Sequence, residues 1–206
     1  MPNSNQHLIT TAAQLASVFG EIAAPSLRKE VAYLHLHYQA MIAASPFAVL
    51  ATSGPDGLDA SPRGDAAGFV LVQDQHTLLL PERKGNNRVD SLRNLLADPR
   101  MALLFLIPGV GETLRVNGRA AISLDPALLA RCAVDGKAPK CVLVISVETV
   151  YFQCARAIYR SGLWQNTAPP ASLPSPGTIL EALSEAQILA EVYDQGLRAR
   201  QQASLY

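Results

Sequence analysis

Between Phe47 and Val150 the chain is cut into short apolar runs by turn residues, too closely spaced for anything but strands. Phe47 to Thr52 is the first run. Ser53-Gly54-Pro55-Asp56-Gly57 is a turn leading into a second extended segment at 58–63. Gly68 to Gln73 and Thr77 to Pro81 are joined across Asp74–His76, and Met101 to Ile107, Thr113 to Ile122 and Lys140 to Val150 follow. Roughly six or seven strands with regular turn signals predict a barrel or a sandwich. The 206 residues fit one domain, and the 49% of apolar residues suffices to fill its core.

The flanks read differently. Residues 10–43 are helical in pattern: Thr11 and Gln14 have capping-box spacing, and Ala12, Leu15 and Val18 repeat every three residues. After Pro25, Ser26 to Ala44 lacks Gly and Pro and places Leu27, Val31, Leu34 and Tyr38 on one stripe, until Ser45-Pro46 breaks the helix. Beyond the last strand a short helix is expected over Tyr151 to Arg160. The division that results is an N-terminal helical segment over 1–45, a barrel over 46–165, a Pro-rich linker over 166–177 and a C-terminal helix over 178–206. Thr178 and Glu181 have capping-box spacing in that last helix, and Leu183, Ala186, Ala190, Tyr193 and Leu197 form a narrow seam suited to docking.

Charge narrows the partners. Lys plus Arg and Asp plus Glu are both 17, so net charge favours neither nucleic acid nor an anionic membrane. No apolar run approaches the ~20 residues that span a bilayer. The start, MPNSNQHLITT, lacks a basic stretch followed by an apolar core, so the expected location is the cytoplasm. Cys132, Cys141 and Cys154 have neither zinc spacing nor the even count of a disulfide framework, and no His stands near Cys154 to activate it. His35 and His37, two positions apart on a helix, diverge and share no metal ion, and no metal is expected elsewhere.

The chemistry concentrates after Leu80. A strand ends at Pro81, and a loop follows with Arg83, Lys84, Gly85, Asn86 and Asn87, then a helix from about Asn87. Val89, Leu92 and Leu96 share one face of that helix; Asn87, Ser91 and Asn94 share the other. A helix N-terminus with unpaired N–H groups attracts anions, Gly85 and the Asn pair can turn successive N–H groups toward one point, and Arg83, Lys84 and Arg88 add full charge. These residues describe a phosphomonoester pocket, or equally a solvated, well-capped helix start. Two further segments favour a ligand. Ser61-Pro62-Arg63-Gly64-Asp65 holds an Arg in a tight turn, and alternation over Glu112 to Ser123 puts Thr113, Arg115, Asn117 and Arg119 on one strand face. Arg156 and Arg160 then precede the lone Trp164, which can contact a flat heterocycle or anchor packing.

From Pro46 to about Trp164 the chain resembles the pyridoxamine 5′-phosphate oxidase-like FMN-binding split-barrel family. Four motifs carry the likeness in order: Ser61–Asp65, Pro81–Ser91, Glu112–Gly118 and Cys154–Trp164. They look most like a bacterial branch distinct from the oxidase proper. The resemblance implies a mainly β (α+β) fold, a six-stranded antiparallel split β-barrel of Greek-key type with flanking helices. It also implies a homodimer with FMN at the interface, touched by both chains. Arg83, Lys84, Asn86, Asn87, Arg88 and Ser91 match positions that hold phosphate and ribityl groups; Ser61, Arg63 and Gly64 lie near the isoalloxazine edge; Arg115 and Asn117 are second-side contacts; Arg160 and Trp164 close the site. The oxidase proper has an Arg-x-Val-Leu-Leu-Lys strand and a C-terminal Arg-x-His. Here the strand reads His76-Thr77-Leu78-Leu79-Leu80-Pro81-Glu82 and the chain ends Ala203-Ser204-Leu205-Tyr206, so oxidation of pyridoxamine phosphate is not carried over. The implied function is an FMN-dependent oxidoreductase acting on a small molecule, with Arg63 or Arg115 favouring the reduced, anionic flavin. The alternatives are a flavin carrier or sensor without turnover, a deazaflavin in place of FMN, and a nucleic-acid-binding barrel. Against the last stand the zero net charge and an aromatic content of 6%.

Overall fold

The structure, a computed structural model, describes residues 7–165 and 168–206. α1 (Ala12–Phe19) starts at the expected capping box: Thr11 Oγ1 accepts from Gln14 N, and Gln14 Oε1 accepts from Thr11 N. α2 (Ala24–Arg28) carries Pro25 in its first turn. The helix expected to run unbroken from Ser26 to Ala44 does not form. Val31 exchanges two backbone hydrogen bonds with Val150, and Leu34 N donates to Gln75 O at 2.7 Å. Those long-range bonds, with Leu34 buried in the core, replace the helical ones that residues 29–35 would otherwise make. α3 (Leu36–Ala44) then runs to Ser45, before Pro46.

The sheet follows: β1 (Phe47–Gly54), β2 (Gly57–Gly64), β3 (Leu71–Asp74) and β4 (Thr77–Glu82), then α4 (Asp90–Ala97), β5 (Arg100–Leu106), β6 (Thr113–Ser123), α5 (Pro126–Arg131), β7 (Cys141–Gln153) and α6 (Arg156–Ser161). All strands pair antiparallel in one sheet ordered β2-β1-β5-β6-β7-β4-β3. The fold is therefore a mainly antiparallel sheet with flanking helices, with seven strands rather than the six that the resemblance implies. β3 is a short edge strand that pairs only with β4 and across an irregular register. The helix expected from Tyr151 begins only at Arg156, because Tyr151, Phe152 and Gln153 stay paired with Arg115, Leu114 and Thr113.

Alternation works as the sequence predicts on β6: Leu114, Val116 and Ala120 are buried while Arg115, Asn117 and Arg119 point away. Leu50, Leu103, Phe105, Leu143 and Ile145 complete this core with Ile42 of α3. At Asn117/Gly118 the β6–β7 register shifts, and a Cβ on Gly118 would lie 2.2 Å from Ser146 O. Only glycine admits that approach.

The C-terminal stretch forms three short helices rather than one: α7 (Pro176–Leu183), α8 (Ala190–Asp194) and α9 (Leu197–Gln202). The cap of α7 is Ser175, accepting from Thr178 N at 3.0 Å, rather than Thr178 itself. Glu181 accepts from Ala190 N and Asp194 from Gly177 N, which fold α8 back on α7. Positive φ at Glu185, Ala186 and Gly196 breaks the expected seam from Leu183 to Leu197. Of the expected linker, residues 166 and 167 lie outside the described residues. Among the described residues no helix is long and apolar enough to cross a membrane. Replacing Gly118 with Ala should cost about 1–3 kcal/mol by overpacking, read as a lowered midpoint in denaturant unfolding with an unchanged slope; an unaltered midpoint would show that the bulge tolerates a side chain.

Candidate functional site

β2 is an outer strand of the sheet and β4 lies near the opposite edge, yet the sheet curls enough for Arg63 Nε to reach Glu82 Oε1 at 2.8 Å. That pair spans the seam between the two halves. Beside it opens a cleft of about 640 Å³, a size typical of small-molecule sites, lined by β2 from Asp59 to Gly64, the end of β4, the Arg83–Val89 loop, the first turn of α4, and Lys140 and Cys141.

The loop folds against its local preferences. α4 starts at Asp90, three residues later than the sequence pattern places it. Asn87 (φ 61°) and Val89 (φ 54°) are left-handed, whereas Gly85, the residue expected to turn the backbone, does not have positive φ. Asn tolerates this region; a β-branched residue there stores about 1–3 kcal/mol of strain. Asn86 Oδ1 accepts from Arg88 N at 3.1 Å and Asn87 Oδ1 accepts from Lys140 Nζ at 3.0 Å, holding the turn. The wheel reading, with the Val89–Leu92–Leu96 face packed and the Asn87–Ser91–Asn94 face left polar, holds for Leu92, which packs on the core, and for exposed Asn87, but fails at Ser91, Asn94 and Leu96. Ser91, Asn94 and Leu95 are buried, while Leu96 is 79% exposed. The reason is what α4 lies on: Asn94 Nδ2 donates to Thr52 Oγ1 at 3.2 Å, and Asn94 fills the space that a Cβ on Gly54 would take, 2.2 Å from its Oδ1.

The tight turn expected at Ser61–Asp65 does not form, because Ser61 to Gly64 stay paired with Leu50 to Phe47 as the end of β2; Asp59, Ser61 and Arg63 therefore alternate on one side of the strand, and the intervening residues are exposed. Asp59 Oδ2 accepts from Ser61 Oγ at 2.7 Å and from Ser91 Oγ. Arg63 Nη2 donates to Ser91 Oγ at 3.3 Å, and Nη1 to Pro62 O at 3.1 Å. The Ser91 hydroxyl above all, with help from Ser61 and the Arg63 charge, holds the Asp59 carboxyl below its ordinary value against the opposing effect of burial. Arg83 Nε donates to Asp65 Oδ2 at 3.0 Å, and its guanidinium lies 5.4 Å from the Tyr206 ring centre. Burial pushes the Asp65 carboxyl up, but hydrogen bonds from Tyr206, Ala66 N and Arg83 outweigh it and leave it lowered. Arg83 Nη1 is buried and has no hydrogen-bond partner. Arg88 pairs with Asp90 at 2.8 Å in the open, a contact of little energetic weight. Around the cleft stand five cations (Arg63, Arg83, Lys84, Arg88, Lys140) and three acids (Asp59, Glu82, Asp90), so its field is positive.

Of the residues singled out in the sequence, Ser61, Arg63, Gly64, Arg83, Lys84, Asn86, Asn87, Arg88 and Ser91 thus line one cleft. Within one chain the others stay outside it. Arg115 donates to Tyr151 Oη at 2.9 Å, Asn117 sits at the bulge, Arg160 is exposed on α6, and Trp164 Nε1 donates to Val110 O at 2.7 Å. Asp59, Glu82 and Lys140 were not singled out, although Asp59 shares the period-two face of Ser61 and Arg63. His35 is the N-cap of α3 rather than part of it, so its ring lies 4.8 Å from that of His37 instead of diverging. Among the described residues no group of three or more His, Cys, Asp or Glu could hold a metal ion. Burial raises the thiols of Cys132 and Cys141, and Cys154 is exposed.

The sequence profile of the pyridoxamine 5′-phosphate oxidase family matches residues 34–154, and the chain belongs to that family. The match spans α3 to β7 and contains the whole cleft. Solved structures similar to this one include HupZ of Group A Streptococcus (18% identity, TM-score 0.48, covering 58% of this chain and 94% of that one). Another is a Clostridium acetobutylicum protein related to general stress protein 26 of B. subtilis (14% identity, TM-score 0.46, 58% and 87% covered). A third is an FMN-binding protein of Syntrophomonas wolfei (11% identity, TM-score 0.43, 54% and 80% covered). No curated protein matches the chain.

Because its pKa is lowered on folding, ionised Asp59 stabilises the fold above its unfolded pKa, and this contribution is lost as pH falls through the folded value. Ser91→Ala should raise the Asp59 titration midpoint in carboxyl-carbon NMR and bring the acid loss of stability to higher pH; an unmoved midpoint would deny Ser91 that role.

Proposed function

We propose that this chain holds FMN in the Asp59–Ser91 cleft and works as an FMN-dependent oxidoreductase on a small molecule. The observation that carries the reading is Arg83, a mostly buried cation in a positive cleft whose Nη1 has no partner. A buried donor left unmade costs about 1–3 kcal/mol, and an anionic oxygen is the group that cancels it. The family match and the four motifs make a phosphate of FMN the fitting anion.

In this reading Arg83, Lys84, Asn86, Asn87 and Arg88 hold the phosphate end, with the left-handed turn at Asn87 and Val89 shaping the backbone around it. Ser61, Arg63 and Gly64 face the ring end. Bound flavin supplies the redox chemistry, and the chain supplies placement and charge. Arg63, fixed by Glu82, Ser91 and Pro62 O, is the cleft cation that favours negative charge on the reduced ring. Asp59 and Glu82 are both held in hydrogen bonds, so neither is assigned a proton-transfer step. Oxidation of pyridoxamine 5′-phosphate is not part of the proposal, because the oxidase's Arg-x-Val-Leu-Leu-Lys strand has no counterpart in His76–Glu82.

The working form is a homodimer. Arg115, Asn117, Arg160 and Trp164 lie outside the cleft of their own chain and reach a flavin only from a second copy. The apolar Leu15, Val18 and Phe19 of α1 are all exposed, and no α1 residue is buried, which also favours a partner surface.

The purified protein should be yellow, and denaturation should release FMN, identified by mass. Arg83→Ala should weaken FMN binding at least about tenfold, the worth of a charge-assisted hydrogen bond. A colourless protein that takes up no added FMN rejects the reading, and release of a deazaflavin replaces the cofactor. Bleaching by NADH or NADPH supports turnover; flavin that no reductant bleaches points to a carrier. Sedimentation should give about twice 22.0 kDa.

A further inference from the structure

Asp59 is the group around the cleft that phosphate binding does not explain. A carboxylate beside a phosphate repels it, and Asp59 stands well inside the lining, on the β2 wall with Ser61. Each serine hydroxyl has a single proton. Both protons go to Asp59 Oδ2, from Ser61 at 2.7 Å and from Ser91. Ser91 is 2% exposed and accepts from Arg63 Nη2, so it is closed to a ligand and serves to hold Asp59 and Arg63 in place. Ser61 keeps only lone pairs for the cleft. Asp59 Oδ1 has no side-chain donor among the described residues. Asp59 and Ser61 therefore offer acceptors and negative charge, while Arg63 on the same strand face turns its nitrogens to Glu82, Ser91 and Pro62 O. The Arg83–Val89 loop, through Lys84 and Arg88, and Lys140 offer donors and positive charge.

A phosphate oxygen is an acceptor and belongs on the loop wall. What Asp59 and Ser61 recognise is a group that donates, which a hydroxyl does. We infer that Asp59 is a specificity-determining residue that reads the hydroxyl groups of a phosphorylated polyol, with Ser61 as the second acceptor. The inference rests on the flavin reading, in which the ribityl chain of FMN is that polyol. Carboxylate-to-hydroxyl bonds are charge-assisted, and dinucleotide folds use the same pairing to read a ribose. Asp59 thereby sets both the direction in which the ligand lies and the kind of ligand accepted, because a simple alkyl phosphate leaves the carboxylate without a donor.

The test uses the full chain freed of bound ligand, with ribitol 5-phosphate and pentyl phosphate as competitors against FMN fluorescence. The wild type should prefer the hydroxylated phosphate by about tenfold or more. Asp59→Ala should abolish most of that preference and weaken riboflavin and FMN by similar factors. Lys84→Ala with Arg88→Ala should weaken FMN and both phosphates while keeping the preference. Asp59→Asn, close to isosteric, carries the measurement if the Ala variant fails to fold, and should show a smaller loss of preference. An Asp59 variant that retains the full preference overturns the inference, as does one that tightens both phosphates alike, since Asp59 would then only oppose the phosphate. A wild type that binds FMN alongside such variants leaves the flavin reading standing; a wild type that binds no flavin brings down both.

Discussion

The ion pair between Arg63 and Glu82 holds the site together. It joins β2 to β4 across a seam with no ladder of backbone hydrogen bonds, and its side chains are only 17% and 13% exposed. Charges so far removed from water must keep their partner, since losing one leaves the other uncompensated. With β2 held there, Asp59 and Ser61 face the first turn of α4, and Arg63 reaches Ser91. The pair thus converts two motifs separated by some twenty residues into one lined cleft.

Local rules are broken where that cleft is built. Val89 is left-handed, α4 turns its polar residues inward, and Arg83 keeps a buried nitrogen without a partner. Much of the scaffold follows ordinary preferences: Thr11 and Ser175 cap helices, β6 alternates cleanly, and Gly118 occupies a bulge position that excludes a Cβ, although Asp135, Glu185 and Ala186 are left-handed as well. What distinguishes the cleft is that left-handed backbone, inward polar side chains and an unpartnered buried nitrogen coincide there.

The strands were legible because each is a local pattern, an alternation bounded by Gly, Pro or Asn, and the pattern survives packing. The helices were legible only where capping decided them. Nothing near Val31 announces that its backbone will pair with Val150, so the stripe over Ser26–Ala44 read as one helix. On α4 the wheel ranked Leu96 as inward because it is apolar. The hairpin beneath α4 instead presents Thr52, Asp59 and the open space at Gly54, where Ser91 and Asn94 find partners. Asp59 itself was readable from its alternation with Ser61 and Arg63, but a search for cations around a phosphate passes over an acid.

By itself the sequence determined the family, the strands and the cation-rich stretch from Arg83 to Arg88 after β4, since these depend on neighbours a few residues apart. The tertiary structure alone decided that Arg63 lies on a paired strand rather than in a turn, that this strand and the loop share a cleft, that Ser91 is sealed within it, and that Arg115, Asn117, Arg160 and Trp164 stay outside it in their own chain. The physical reason is the curl of the sheet. It brings β2 and β4 together through side chains, and no local preference encodes a contact made only after the whole sheet has closed on its core.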